Sequence, residues 1–308
     1  MKYIIKNFIA AAIILFALPY LLTILFETTS KSTAKTIQVS VTQGKKLKSN
    51  IDVETYLIGI LAQEIPNTYE KEAIKAQAVI ARTNILYYIE NDIELPKYKT
   101  PDDLNKLWGV DSFWENYHKL EEAIWETKGN VIYNDNKLIN ASFHAVSAGK
   151  TRTCEDLFSN KKFPYLKQAS CDKDLLSKNY LKIVTYSKEE FIKFCKEAYP
   201  DISLKKDKLM KQIDLTDRDS ADYVKTIKLG DKKINGEAFR EKFNLNSSCF
   251  TIEECEDSIR IVTKGLGHGA GVSQFTANSL AKKGRNYVQI LKYFYNNIRI
   301  SPYSSKNE

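Results

Sequence analysis

The carboxylate most readily placed for chemistry is Glu64, at the break between two stretches of helical periodicity. The first runs from Asp52, a good N-cap, with Val53, Tyr56, Leu57, Ile60 and Leu61 on one face, and Pro66 ends it by removing a donor and restricting Ile65. The second begins at Asn67 or Thr68. Its apolar positions Ile74, Ala78, Ala81, Ile85 and Tyr88 follow the period of a helix with one buried stripe, and Ala73, Ala76, Ala78 and Ala81 let another element approach closely. A carboxyl at the carbonyl end of one helix and beside a packed second helix is pushed toward its protonated form, as a general acid requires. A Glu beside a Pro can equally be a solvated surface residue. Glu70 and Glu72 open the second helix, where they suit the positive end of its dipole.

A second group of candidates lies in the run Gly265-Leu266-Gly267-His268-Gly269-Ala270-Gly271-Val272-Ser273-Gln274-Phe275, between a strand over Ser258 to Thr263 and a helix to about Lys283. Gly265-x-Gly267-x-x-Ala270 nearly fits a dinucleotide fingerprint, but no acidic residue stands where the ribose partner belongs and too little chain follows for another βαβ unit. Alternating glycines around one His describe a loop that approaches something closely, with His268 either contacting a ligand or bracing the loop. A third group is His144, Cys154 and Cys171, whose H-x9-C-x16-C spacing matches no standard zinc finger. They could hold a structural Zn with a fourth ligand, or Cys154 and Cys171 could form a disulfide, or the thiols could stay unlinked. The five cysteines are an odd number, so not all pair within one chain; Cys249 and Cys255 flank a turn.

The elements that must position these residues fit one large or two ordinary domains: 308 residues, 43% apolar and 27% charged, is globular composition. The net charge of +8 comes from dispersed lysines without a nucleic-acid motif, which argues against a nucleic-acid partner. After Lys2 and Lys6, the 19 residues from Phe8 to Phe26 suffice to span a bilayer and lack a good cleavage site, so residues 1–27 read as an uncleaved signal-anchor with the rest extracytoplasmic. Residues 28–36 form a polar tether, and 37–300 the folded part, with 301–308 as a tail. A strand is predicted over Ile37 to Thr42, a polar turn-rich segment from Pro96 to Leu107, a helix over Tyr117 to Glu126, and a hairpin of Val131 to Tyr133 with Leu138 to Val146 around Asn134-Asp135-Asn136. Trp108, Phe113, Trp114 and Tyr117 are packing residues or a sugar-stacking group. Further on, a helix from about Ser187 to Ala198 and a strand over Tyr223 to Leu229 are predicted. The fold class is α+β, mixed helices and antiparallel hairpins forming a cleft, preceded by one transmembrane helix.

The run LAQEIP followed by EAIKAQAVIARTNILYY resembles the opening signature of the stage II sporulation protein D family, membrane-anchored lytic transglycosylases of peptidoglycan. SAGKT at Ser147 to Thr151 resembles its strand-to-loop segment, with Ala148 in place of the usual Gly. FPYL, the Phe-Arg of GEAFREKF, GLGHGAGVSQ and the final NYVQILKYFYNN follow the family in order, and residues of about 175–220 look like its variable insertion. The resemblance implies that Glu64 is the catalytic acid and that Ser147, His268, Ser273 and Gln274 line the substrate cleft. It implies no cofactor for the chemistry, cleavage of the MurNAc-GlcNAc β-1,4 bond with 1,6-anhydroMurNAc formation, and glycan strands stripped of stem peptides as substrate. It further implies an amidase and membrane proteins of the engulfment machinery as partners, in the mother-cell membrane facing the septal space. Inverting hydrolysis needs two carboxylates, and neither signature supplies an obvious second one beside Glu64. The alternatives are a non-catalytic peptidoglycan-binding scaffold and a zinc-dependent cell-wall hydrolase.

Overall fold

The computed structural model describes residues 37–43, 46–157 and 163–304. The expected signal-anchor and tether lie outside these residues. Among the described residues no helix is long and apolar enough to cross a membrane. The chain divides into two units, Met1–Val53 and Glu54–Glu308. In the first, β1 (Gln38–Gln43) pairs antiparallel with β2 (Lys46–Asp52), with a register shift between Val41 and Thr42.

Helix α1 (Val53–Glu64) begins at the boundary and leads into the second unit, followed by α2 (Lys71–Glu90). Their apolar stripes are buried as the periodicity predicts, from Leu57 and Leu61 to Ile74, Ala78 and Ile85. The two helices are locked by Arg82, whose guanidinium binds both Glu54 oxygens, at 3.0 Å from Nε and 2.6 Å from Nη2, with both side chains nearly removed from water. A bidentate pair at this depth fixes orientation as much as it stabilises.

Residues 101–126 form two helices, α3 (Pro101–Trp108) and α4 (Val110–Glu126), where a turn-rich segment was expected first. Thr100 and Asp103 make a reciprocal capping box with Pro101 in the first turn, so local caps nucleate a helix in a polar stretch. Strand β3 (Asn130–Asn134) turns through Asp135 and Asn136, both with positive φ, into β4 (Lys137–Leu138). The expected long second strand is broken: only β5 (Phe143–His144) resumes, parallel to a later strand. Helix α5 (Cys154–Leu157) and a 3-10 turn (Asp172–Leu176) precede β6 (Leu181–Ser187).

Next come α6 (Lys188–Ala198), capped by Ser187 with Glu190, then β7 (Ile213–Arg218), β8 (Val224–Leu229), β9 (Lys232–Asn235) and α7 (Gly236–Lys242). They are followed by β10 (Phe250–Cys255), β11 (Ser258–Lys264), β12 (Val272–Ser273), α8 (Gln274–Lys282), α9 (Tyr287–Phe294) and β13 (Arg299–Pro302). The sheets are small and mostly antiparallel, in orders β10-β11-β6, β7-β8-β9 and β13-β3-β4, with the parallel pair β12-β5. The architecture is α+β. Two large cores and a small cluster of Ala221, Tyr223 and Cys249 lie among the described residues; the first large core joins α2, β3, α8 and α9 through Val79, Ile80, Ile132, Ala277, Ile290 and Phe294. The other, between Phe191 and Ile261, is built on Phe239, Phe243 and Phe250, and residues of 175–220 contribute β6, α6 and β7 to it.

Candidate active site

Glu64 is the last residue of α1, and the Ile65 amide still closes a helical bond to Leu61 at 3.0 Å before Pro66 ends the run. Its side chain is only partly exposed. Burial pushes the Glu64 carboxyl up to about 7, an effect partly offset by a hydrogen bond from Gln77. That bond runs from Gln77 Nε2 to Glu64 Oε2 at 2.8 Å. Gln77 lies on the buried face of α2, 1% exposed, among the small residues Ala76 and Ala78. Tyr88, further along α2, has its hydroxyl held in the neutral form by burial and by the Glu64 charge.

The loop after Glu64 is closed from the other side by α8. Gln274, its first residue, donates Nε2 to the Glu64 carbonyl at 2.7 Å and to Gln77 Oε1 at 3.2 Å. One turn on, Asn278 Oδ1 accepts from the Glu70 amide at 2.8 Å. The i, i+4 spacing puts both amides on one helix face, so α8 grips both ends of the Glu64–Glu70 loop.

A second carboxylate reaches the start of α8. Asp174, from the 3-10 turn, is 0% exposed and accepts from the Ser147 amide at 2.6 Å, Ser273 Oγ at 2.7 Å and Thr276 Oγ1 at 2.7 Å. Burial raises its pKa, and these donors counter part of that rise.

A profile of the stage II sporulation protein family matches residues 42–133, the segment that contains Glu64 and Gln77. Stage II sporulation protein D of Bacillus subtilis is 32% identical over 287 residues, covering 89% of this chain and 81% of that protein. Its counterpart from Bacillus amyloliquefaciens is 33% identical over 289 residues, with the same coverage. This chain belongs to the stage II sporulation protein D family. A more distant similarity, 24% over 295 residues, is to the amidase enhancer of Bacillus subtilis, of which the matched part covers 40%.

In this family member the glycine-rich signature is stitched to the Ser147 segment. β12 pairs with β5, Val272 N donates to Ser142 O at 3.0 Å, and the Val146 and Leu266 backbones exchange bonds of 3.1 and 2.7 Å. Two glycines are required by this approach: at Gly271, with φ of 67°, a side chain would strike the Ser142 carbonyl, and at Gly267, with φ of 115°, a Cβ would sit 2.7 Å from the His144 Cβ.

The expected cleft residues therefore divide. Ser147 and Ser273 are fully buried and cannot reach a substrate: Ser147 Oγ accepts from the Gly149 amide, and Ser273 caps α8 while bonding Asp174. Gln274 is also buried, its amide bonded to the Glu64 carbonyl and to Gln77. His268 is partly exposed, its Nδ1 accepting from the Ala270 amide at 3.1 Å and its ring also bonded to the Phe143 backbone, so its nitrogens brace the loop. Burial lowers its pKa, which keeps it neutral.

The three residues expected as a Zn set, His144, Cys154 and Cys171, do not come together. Among the described residues no three His, Cys, Asp or Glu side chains group closely enough to hold a metal. His144 Nδ1 is engaged by the Ala270 carbonyl at 3.0 Å, and burial holds the ring pKa down at about 3. The Cys154 sulfur accepts from the Phe163 amide at 3.3 Å, while Cys171 is a free thiol in the core, pushed up to about 12 by burial.

Sequence reasoning missed Gln77 and Asp174. Gln77 carried a signal: a polar residue on the buried stripe of a helix, flanked by alanines that let a neighbour come close. Asp174 carried none, since its partners lie 27, 99 and 102 residues away in the chain.

Proposed function

We propose that the protein is a lytic transglycosylase that cleaves the MurNAc-GlcNAc β-1,4 bond of peptidoglycan glycan strands in septal remodelling, with Glu64 as its acid. The observation that carries this reading is the Glu64 carboxyl itself, buried at a helix end and pushed up to about 7, hence substantially protonated at neutral pH. Protonated Glu64 donates to the glycosidic oxygen, the C1–O bond breaks, and an oxocarbenium-like sugar forms. The Glu64 carboxylate then takes the proton of the sugar's C6 hydroxyl, whose oxygen closes on C1 to give the 1,6-anhydro ring. Acid is regenerated and no water is consumed.

Water-consuming hydrolysis is less favoured because Asp174, the carboxylate bonded to the first turn of α8, is sealed, with both oxygens occupied by protein donors. Metal-assisted hydrolysis lacks a ligand group among the described residues. An amidase as partner, stripping stem peptides first, is supported by family membership and by the relative named amidase enhancer. Membrane anchoring through Phe8–Phe26 belongs to the same reading.

The test is Glu64→Gln with isolated glycan strands. Cleavage should nearly vanish while the fold and strand binding persist, and the unaltered protein should release products with 1,6-anhydro ends, lighter by one water than reducing ends. Hydrated products would refute the one-carboxylate route, and normal cleavage by Glu64→Gln would refute the assignment of the acid.

A further inference from the structure

The donor and acceptor sense of the amide chain next to Glu64 is fixed by one group. The Glu64 carbonyl can only accept, so the Gln274 atom 2.7 Å from it is the NH2 nitrogen. The same nitrogen therefore faces Gln77 at 3.2 Å, which makes the Gln77 atom there its oxygen. The Gln77 nitrogen is left to face the Glu64 carboxylate at 2.8 Å. Gln77 thus reads as a donor toward Glu64 only while Gln274 is held in place.

What holds Gln274 is Asp174. Gln274 is the first residue of α8, between Ser273 and Thr276, and both of those hydroxyls donate to Asp174. A carboxylate at this end of the nine-residue α8 also faces the positive end of the helix dipole. Its third donor, the Ser147 amide, ties the same carboxylate to the segment paired with β12. Asp174 touches neither Glu64 nor Gln77 in any hydrogen bond of the described residues; its influence passes through the first turn of α8.

We propose that Asp174 is a positioning residue for Glu64: by fixing the first turn of α8 it keeps Gln274 on the Glu64 carbonyl and on Gln77, so that Gln77 presents its NH2 group, and not its oxygen, to the Glu64 carboxyl. The Gln77 donor favours the charged carboxylate and opposes burial, so the chain sets how readily Glu64 holds its proton. The titratable groups in electrostatic reach are Tyr88 for Glu64, and Tyr69, Cys171 and Tyr180 for Asp174. Burial raises all four, so they stay neutral through the relevant range and do not blur the effect.

For turnover this rests on Glu64 being the working acid, but the direct readout does not. In the full-length protein labelled with 13C at Glu carboxyls, the signal that disappears in Glu64→Gln reports the Glu64 titration. Asp174→Ala and Gln274→Ala should each move its midpoint upward by about one pH unit, as expected for losing a hydrogen bond to a charged group. Asp174→Asn, which can still accept from Ser273 and donate to the Thr276 hydroxyl, should leave the midpoint near that of the unaltered protein. The double variant should move it no further than Gln274→Ala alone. Should Asp174→Ala not fold, Thr276→Val removes one donor to Asp174 and must shift the midpoint in the same direction. A midpoint unmoved by Asp174→Ala or Thr276→Val while Gln274→Ala moves it, or additive shifts in the double variant, would overturn the proposal. The alkaline limb of glycan cleavage should follow the same shifts. If the carboxyl signal moves and cleavage does not, the positioning chain stands and the assignment of Glu64 as the acid fails.

Discussion

Glu64 and Asp174 are both carboxylates taken out of water, and burial pushes both upward, but their surroundings differ in the number of donors and in access. Glu64 meets one side-chain donor, Gln77, and keeps part of its surface open. Asp174 meets an amide and two hydroxyls and has no exposed surface. A carboxyl that is buried but sparsely solvated by the protein holds a proton it can give away, whereas one surrounded by donors serves as a brace. Depth alone does not assign a role, because the count of donors around the oxygens decides it.

The sharpest way to break the contrast is to truncate each carboxyl. Asp174→Ala leaves three buried donors without their acceptor and should cost about 3 kcal/mol or more in a denaturant melt. A loss below about 1 kcal/mol would mean that Asp174 is not a brace.

Glu64→Gln should act the other way and depend on pH. Because the folded-state pKa of Glu64 is raised from 4.5 to about 7, the folded protein keeps a proton there that the unfolded chain has already released. Its contribution to stability is therefore full below about 4.5 and declines as pH rises to about 7. Glu64→Gln should remove that decline, so the variant gains about 2 kcal/mol relative to the unaltered protein between pH 5 and pH 8, a figure reduced for the partial exposure of the side chain. Equal stability differences at the two pH values would show that the carboxyl is not perturbed.

A smaller effect is expected for His268→Ala, which removes a loop brace and should lower stability by about 1 kcal/mol, with glycan cleavage falling in step with the folded fraction. Cleavage that collapses without a change in melting temperature would instead return His268 to the substrate. The smallest effect belongs to Trp114→Ala. The side chain is 62% exposed on α4, so stability should change by less than about 0.5 kcal/mol.

Local chemistry in the sequence determined a good deal. The helical period and Pro66 placed Glu64 at the end of α1, and the capping pair Ser187 and Glu190 placed the start of α6. The strand, glycine loop and helix around Gly265–Phe275 were also legible, because glycine at positive φ and alternating strand residues act within a few positions of themselves. Family membership was legible in the same motifs. The helix at Pro101–Trp108 was less legible: its polar composition reads as turn, and only the local capping box of Thr100 and Asp103 marks it as helix.

Only the tertiary structure decided the roles within the site. Ser147, Ser273 and Gln274 sit in motifs that suggest contact with a ligand, but the pairing of β12 with β5 turns them inward, where they hold other protein groups. His144, Cys154 and Cys171 are near in sequence yet form no ligand group, because burial gives each a different neighbour. Asp174 was invisible for the converse reason: hydrogen bonds to residues 27 to 102 positions away have no period, and the energy that selects a donor for a buried carboxylate depends on geometry that exists only once the chain is packed.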